Sequence, residues 1–293
     1  VSLQNKIMKN GKSNNLKLFN INCFDYLKSL DSNSIQLIIT SPPYNMGKEY
    51  EKKKSFEDYI FDQKKVLKEC FRVLKKDGSL CWQVGTYVKK KYEIIPLDIP
   101  IFDICSKLGF RLRNRIVWHF EHGLHAKEKF SGRYETIMWF TKSEKYKFFL
   151  DNVRVPQKYP GKVSYKGKNK GKYSGNKIGK NPSDVWIFPN VKSFHKEKTI
   201  HPCQFPIELA ERLVLALSEK NDLVYDPYAG VGTTLIAANK NGRKTIGTEI
   251  KKKYIKVAKK RFAQLKNGTL PYRKIFTPVK VITGNSKLLF RKD

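Results

Sequence analysis

Two short stretches of the 293-residue chain carry residue types suited to chemistry rather than to packing. In the first, Thr40-Ser41-Pro42-Pro43-Tyr44 closes the apolar run that begins at Ile35. The two prolines fix φ and remove two N–H donors, so the carbonyls around them are free to accept. Beside a serine hydroxyl and a tyrosine ring, those carbonyls suit a flat base that carries an amino group. The oxygens would orient the NH2 and the ring would stack. A rigid turn after a strand would use the same residues, so this loop alone leaves both readings open.

The second stretch, Leu223-Val224-Tyr225-Asp226-Pro227-Tyr228-Ala229-Gly230-Val231-Gly232-Thr233-Thr234, reads as strand, tight turn and helix start. Gly230 and Gly232 have no Cβ, which would let a ligand approach the backbone at the helix N-terminus. Glu249 ends the next strand, 23 residues after Asp226. A nucleotide-binding unit places a carboxylate there for ribose hydroxyls. The third glycine of a nicotinamide-dinucleotide pattern is missing, because Leu235 stands in its place. A bare turn explains most isolated Gly-x-Gly pairs, but the complete strand, turn, helix, strand context favours a cofactor.

Together the two stretches resemble the catalytic and cofactor loops of S-adenosylmethionine-dependent DNA amino-methyltransferases. In that family Asp-Pro-Pro-Tyr is typical of adenine N6 enzymes and Ser-Pro-Pro-Tyr of cytosine N4 enzymes. Here the catalytic loop precedes the cofactor loop, with a basic insertion between them, an order similar to the circularly permuted beta group. The resemblance runs from about Leu16 to about Ala263. It implies a Rossmann-like α/β methyltransferase fold with a doubly wound, mostly parallel sheet, and S-adenosylmethionine as cofactor. Catalytic roles are implied for Ser41, Pro42, Pro43 and Tyr44. Cofactor contacts are implied for Asn22, Cys23, Thr40, His201, Gln204, Phe205, Pro206, Asp226, Pro227, Tyr228, Ala229, Gly230, Gly232, Thr233, Thr234 and Glu249. Arg133-Tyr134-Glu135 resembles a short charged strand near the family's catalytic pocket. His201 to Pro206 resembles the segment opening the helix that covers the methionine end of the cofactor. Two positions depart from the pattern: Asn22 stands where Asp is usual in a cofactor-cradling segment, and Gln36 replaces a frequent Asp before the catalytic loop.

The implied reaction is methyl transfer to cytosine N4 in duplex DNA, within a restriction–modification pair. Adenine N6 is the alternative base; a non-catalytic nucleic-acid-binding protein and an RNA methyltransferase are the remaining readings. An aromatic amine is a poor nucleophile because its lone pair is delocalised into the ring. Acceptors at Ser41 and the Pro42 carbonyl would draw the NH2 towards tetrahedral geometry, so positioning and electrostatics carry the catalysis. The base must leave the stack, and stacking on Tyr44, at about 1 to 3 kcal/mol, would offset much of that cost. Pro202-Cys203 is similar to the nucleophile motif of cytosine-C5 enzymes. Those enzymes place the cysteine after the cofactor loop, whereas Cys203 precedes it.

Such loops need an alternating framework to hold them. Strands are expected over 16–21, 35–40, 79–84, 112–120, 133–141, 222–226 and 244–249. Helices are expected over 23–30, 56–74, 94–108, 205–217, 233–241 and 251–265, with Asp77-Gly78 as a turn after the second. Alternation of this kind builds a parallel sheet covered on both faces. From Val153 to about Pro182 the chain becomes Lys, Gly, Asn and Tyr, with almost nothing to bury, and a flexible insertion is expected. Its Lys162, Lys166, Lys168, Lys170 and Lys172 interleave with Tyr165 and Tyr173, a pattern for phosphate contact with added stacking. Arg154 and the polar flank 184–198 are candidates for contacts to bases, and Arg133 is a candidate for DNA contact. The expected organisation is a polar segment 1–15, a catalytic half 16–150, a target-recognition insertion 151–200, a cofactor half 201–268 and a basic tail 269–293.

Composition sets the partner class. Lys and Arg number 59 against 26 Asp and Glu, a net charge of +33 that calls for a polyanion. Only 11 of the 59 are Arg, so a lysine-rich composition habit accounts for part of the excess. Double-stranded DNA is the expected partner, with a homodimer and a cognate endonuclease left open. No apolar run reaches the roughly 18 to 20 residues of a bilayer span, and no secretory signal opens the sequence, so no membrane is expected. Cys23, Cys70, Cys81, Cys105 and Cys203 are odd in number and lack CxxC spacing. That argues against a disulfide framework and a metal site, and for a reducing, cytoplasmic compartment.

Overall fold

The structure is a computed structural model that describes residues 16–90, 93–120, 123, 125–192 and 194–277. The segments 1–15 and 278–293 of the expected organisation lie outside these described residues. Along the chain run β1 (Leu16–Phe19), α1 (Cys23–Lys28), β2 (Ile35–Thr40), α2 (Phe56–Val73) and β3 (Leu74–Val84). Next come β4 (Thr86–Lys90), β5 (Glu93–Pro96), α3 (Asp98–Lys107), β6 (Arg111–His119), β7 (Tyr134–Thr141) and β8 (Val185–Ile187). The last elements are α4 (Ile207–Leu217), β9 (Leu223–Asp226), α5 (Thr233–Lys240), β10 (Lys244–Thr248) and α6 (Lys252–Lys266).

Every residue of β2 is buried, so this strand has no face to offer water and must lie mid-sheet. It does: the main sheet has the order β1-β10-β9-β2-β3-β7-β6-β8. Among the described strands of this sheet only β7 runs against its neighbours, and the other pairings are parallel. On one face α1, α2 and α3 bury Leu27, Leu67 and Ile101 against Ile38, Trp82 and Phe140. On the other, α4 and α5, with Phe262 of α6, pack Leu213 and Leu235 against Leu37 and Trp139. The sheet is therefore doubly wound and mostly parallel, as its alternating sequence requires. From β2 the chain moves outward to β3 through α2 on the first face. From β9 it moves outward to β10 through α5 on the second. The loops leaving β2 and β9 thus diverge to opposite faces, which opens a crevice between them.

Several boundaries differ from expectation, each for a local reason. The expected helix 94–108 begins only at Asp98, because Pro96 holds Ile95 extended and the residues before it pair with β4 as a hairpin. Asp77-Gly78 is a bulge inside β3 rather than a free turn, and the register jumps from Ile35↔Leu74 to Leu37↔Ser79. Gln36 ties that bulge down, its Nε2 donating to the Asp77 carbonyl at 3.2 Å, which gives this departure from the family pattern a structural role. The short strand β8 escaped the sequence reading. It adds to β6 in parallel through Val117↔Val185 and His119↔Ile187.

The basic insertion has little core but is stitched by its backbone. Val155 and Lys180 exchange N–H···O bonds at 3.0 and 2.8 Å, and Ser174 N donates to the Lys162 carbonyl at 2.9 Å. Its glycines serve as hinges of positive φ, as at Gly167 (73°) and Gly171 (80°). The described start of the basic tail packs back on the domain. There Leu270 is buried, and Arg273 pairs with Glu208 of α4 at 2.5 Å.

Candidate active site

The two loops flagged by their chemistry meet. β2 and β9 are adjacent, with Leu37↔Val224 and Ile38↔Tyr225 in register. At their carboxyl ends Thr40 Oγ1 donates to Asp226 Oδ1 at 2.6 Å. Asp226 is 1% exposed, and burial pushes its carboxyl up to about 6 despite hydrogen bonds from Thr40 and the Tyr228 N–H. Above this buried link opens a cleft continuous with solvent. Ser41, Pro42, Pro43 and Tyr44 form one wall; Pro227, Tyr228, Ala229, Gly230 and Thr233 form the other. Asn22, Cys23, His201, Gln204, Phe205 and Glu249 complete the set of expected residues that line it.

Five expected cofactor residues do not line the cleft. Thr40, Asp226 and Thr234 lie buried beneath it, with Thr234 Oγ1 donating to the Ile39 carbonyl at 3.3 Å. Pro206 caps the start of α4. Gly232 has φ 80°, and a Cβ there would meet Ala258 Cβ at 3.2 Å, so its missing side chain makes room for α6. Gly230 is the glycine that faces the cleft: its φ is 50°, and a Cβ would come within 3.3 Å of His201 Nε2.

On the catalytic side Tyr44 is locked. Its ring lies against Gly85, where a Cβ would come within 3.0 Å of Tyr44 Cε2. Its hydroxyl lies 3.1 Å from Ser41 Oγ and donates to Glu135 Oε2 at 3.2 Å. Gln83 Nε2 donates to the same carboxylate oxygen. Burial raises the Glu135 carboxyl, while the bonds from Gln83 and Tyr44 pull it back down. Burial, with the Glu135 charge, likewise pushes the Tyr44 phenol well up. Ser41, Tyr44 and Glu135 therefore form a continuous hydrogen-bonded chain from the cleft into the protein.

On the cofactor side, Glu249 accepts from Gly230 N at 3.0 Å through Oε2 and from Lys251 N at 2.6 Å through Oε1. Each oxygen keeps a further lone pair. Asn22 does the work of an Asp at the α1 N-cap, its Oδ1 accepting from Phe24 N at 2.9 Å. His201 stacks on Tyr50 at 5.4 Å and tilts against Tyr254 at 4.5 Å, and burial pushes its imidazole down to about 4, so it is neutral near pH 7. The Gln204 amide is engaged within the protein, donating to the Glu197 carbonyl at 2.9 Å and accepting from Thr199 at 2.8 Å. Although the chain has 59 Lys and Arg, none among the described residues lines the cleft, and the charged group that does is Glu249.

Comparison with known proteins places the chain. Residues 35–260 match the family model described as DNA methylase. The Type II methyltransferase M.BglII of Bacillus subtilis is 50% identical over 242 residues, covering 83% of this chain and 67% of that protein. This chain belongs to the DNA methylase family. The DNA adenine methyltransferase YhdJ of Escherichia coli is 36% identical over 247 residues, covering 80% of this methylase and 78% of its relative. The crystal structure of TTHA0409 from Thermus thermophilus superposes with a TM-score of 0.62 at 30% identity, covering 86% of this chain and 96% of that one. A further crystal structure of TTHA0409 is complexed with S-adenosyl-L-methionine.

Sequence reasoning about this methylase missed several cleft residues: Ile21, Tyr50, Cys203 as a lining residue, Val231, Thr248, Ile250 and Tyr254. Tyr50 lies in a Lys/Glu-rich run whose composition signals only a solvated loop. The loop in fact leans over the cleft, with Glu49 accepting from Tyr254 OH at 2.5 Å and pairing with Lys253 at 3.0 Å. Glu135 stands in the charged strand with no role legible there, because nothing in one sequence says that Tyr44 reaches it. Among the expected DNA contacts, Lys162, Tyr165, Lys166, Lys168, Lys170, Lys172 and Tyr173 are all exposed on the insertion. Arg154 is not available in the same way: it binds Asp151 at 2.6 Å and the Gly179 carbonyl at 3.1 Å, closing the base of the insertion. Arg133 is half-buried and donates to the Gly132 carbonyl at 3.0 Å.

The Thr40–Asp226 link makes a pH-dependent prediction. Burial raises the Asp226 carboxyl from its ordinary 3.8 to about 6, so the ionised form costs stability above pH 6, and that cost fades as pH falls towards 3.8. Thr40→Val removes a donor to that carboxylate and should lower the unfolding free energy at pH 8 by about 1.5 to 3 kcal/mol. Urea unfolding at pH 8 and pH 5 checks it: the loss should shrink at pH 5, where native Asp226 is mostly protonated.

Proposed function

We propose that this methylase transfers a methyl group from S-adenosylmethionine to the exocyclic amino group of a flipped base in duplex DNA, with cytosine N4 as the preferred acceptor. One observation carries the reading: the Ser-Pro-Pro-Tyr and Gly-rich loops line a single cleft, joined beneath it by Thr40 and Asp226. The cleft suits the cofactor. Glu249, at its edge, retains acceptor capacity for ribose hydroxyls. A lining without Lys or Arg among the described residues, bearing one carboxylate and several aromatic faces, favours a cationic ligand. When bound there, S-adenosylmethionine supplies an electrophilic methyl on a sulfonium centre.

The chain's own residues then act on the base. Ser41 Oγ and the Pro42 carbonyl accept from the amino group, hold it in line and localise its lone pair. Tyr44 presents a ring whose tilt is set by Gly85, Ser41 and Glu135. After transfer the amine is acidic. Its proton passes to Ser41 Oγ, the serine proton to Tyr44 OH, and the tyrosine proton to Glu135, whose burial favours the protonated form. Each hydroxyl gives one proton and gains one, and the carboxylate keeps the last.

The insertion lysines supply phosphate contacts, and the Type II relative supports a place in a restriction–modification pair. Adenine N6 is the second reading, favoured by 36% identity to a DNA adenine methyltransferase. Serine before Pro-Pro-Tyr favours cytosine.

Three measurements test the proposal. DNA methylated with labelled cofactor and digested to nucleosides should yield N4-methylcytosine; N6-methyladenine would transfer the reading to adenine, and no labelled base would end it. Tyr44→Phe breaks the proton chain while keeping the ring, and should lower kcat by about a hundredfold with cofactor Kd within about twofold. Replacing Lys166, Lys168, Lys170 and Lys172 by Ala should flatten the dependence of log DNA affinity on log salt, by about 0.9 for each phosphate that is no longer neutralised.

A further inference from the structure

Phe194 is 104% exposed and Phe130 101%, while the next large apolar side chain, Tyr165, stands at 76%. A phenylalanine fully in water forgoes its burial free energy, and lone exposed apolar residues are usually tolerated only as scatter. Phe194 differs from scatter in how it is mounted and where.

Its loop is rigidly footed. Val191 and Glu197 on either side are 1% and 2% exposed. Glu197 accepts from Ile207 N at 2.9 Å and from Arg273 N at 3.1 Å, while the Gln204 amide holds its carbonyl. His195 N donates to the Lys192 carbonyl at 2.7 Å, and Lys198 N to the His195 carbonyl at 2.8 Å, so Phe194 lies within a turn. The loop also stands at the cleft. Lys192 Nζ donates to the Pro202 carbonyl at 3.0 Å and Lys198 Nζ to the His201 carbonyl at 3.0 Å, and His201 and Cys203 line the cleft. The Lys192 ammonium is near enough to Glu135 to favour its ionised form. Lys192, Lys196 and Lys198 of the same loop are exposed, so the apolar side chain stands in a cationic segment.

An exposed phenylalanine in a lysine-bearing loop, anchored to the segment that lines the cleft, suits a residue that enters a base stack. Lysines hold the phosphates on each side, and the ring takes the volume that an extruded base leaves. We propose that Phe194 is an intercalating wedge that fills the duplex when the target base swings into the cleft. The proposal rests on the reading of the chain as a DNA methyltransferase acting on a flipped base.

The wedge matters only when the target base has a partner and a stack to leave, which gives a test that separates it from a general structural role. Methyl transfer is measured for the parent, Phe194→Ala and Phe194→Leu on two duplexes bearing the site mapped by sequencing methylated DNA. In one the target base is paired; in the other it faces an abasic position. Phe194→Ala should lose about tenfold or more in kcat/KM on the paired duplex. It should return to within about threefold of the parent on the abasic duplex, where extrusion is cheap, and Phe194→Leu should lie between. Cofactor Kd should be unchanged in both variants, since Phe194 does not line the cleft. An unchanged Phe194→Ala on paired DNA, or an equal loss on both duplexes, overturns the wedge while the parent's activity upholds the methyltransferase reading. A parent inactive on both duplexes overturns that reading itself.

Discussion

The structure turns on one buried carboxylate. Asp226 sits at the carboxyl end of β9 and makes no ion pair among the described residues. Instead it takes neutral donors from two segments: Thr40 on β2 and Tyr228 N in the Gly-rich turn. An unpaired buried carboxylate is costly unless its lone pairs are filled, so the two segments must arrive together. Their arrival is what sets the Ser-Pro-Pro-Tyr loop beside the Gly-rich loop.

The same restriction of charge runs through the cleft above. A chain with a net charge of +33 surrounds a cleft that no Lys or Arg among the described residues lines. His201, which could have carried charge, is wedged between Tyr50 and Tyr254 and kept neutral by burial. Lysines are displayed on the exterior, on the insertion and around the 192–198 loop, where a polyanion would lie. Cleft and exterior thus present opposite electrostatic faces, one suited to a cationic cofactor and the other to phosphate.

Much of this was legible in the residues. The apolar run 35–40 could only be a central strand, and the Pro-Pro and Gly-x-Gly segments announce loops with restricted or unusual backbone. Alternating periodicity gave the doubly wound sheet without any knowledge of its strand order. What failed did so where a short local signal was outweighed by pairing. Ile94 and Ile95 look helical, yet Pro96 and the partner strand β4 hold them extended. The Lys/Gly insertion reads as featureless because its structure comes from backbone bonds, which leave no trace in side-chain type.

The sequence by itself determined the chemical vocabulary: an oxygen-rich, proline-stiffened loop, a glycine turn with a distant acid, and a basic exterior. Those follow from residue type and spacing, which act over a few positions. Only the tertiary structure decided that Tyr44 reaches Glu135, that Gly232 makes room for α6, and that Tyr50 and Tyr254 enclose His201. The physical reason is separation: Tyr44 and Glu135 are 91 positions apart, and Thr40 and Asp226 are 186. Contacts at that range are chosen by strand order and burial, and neither is written in any one segment.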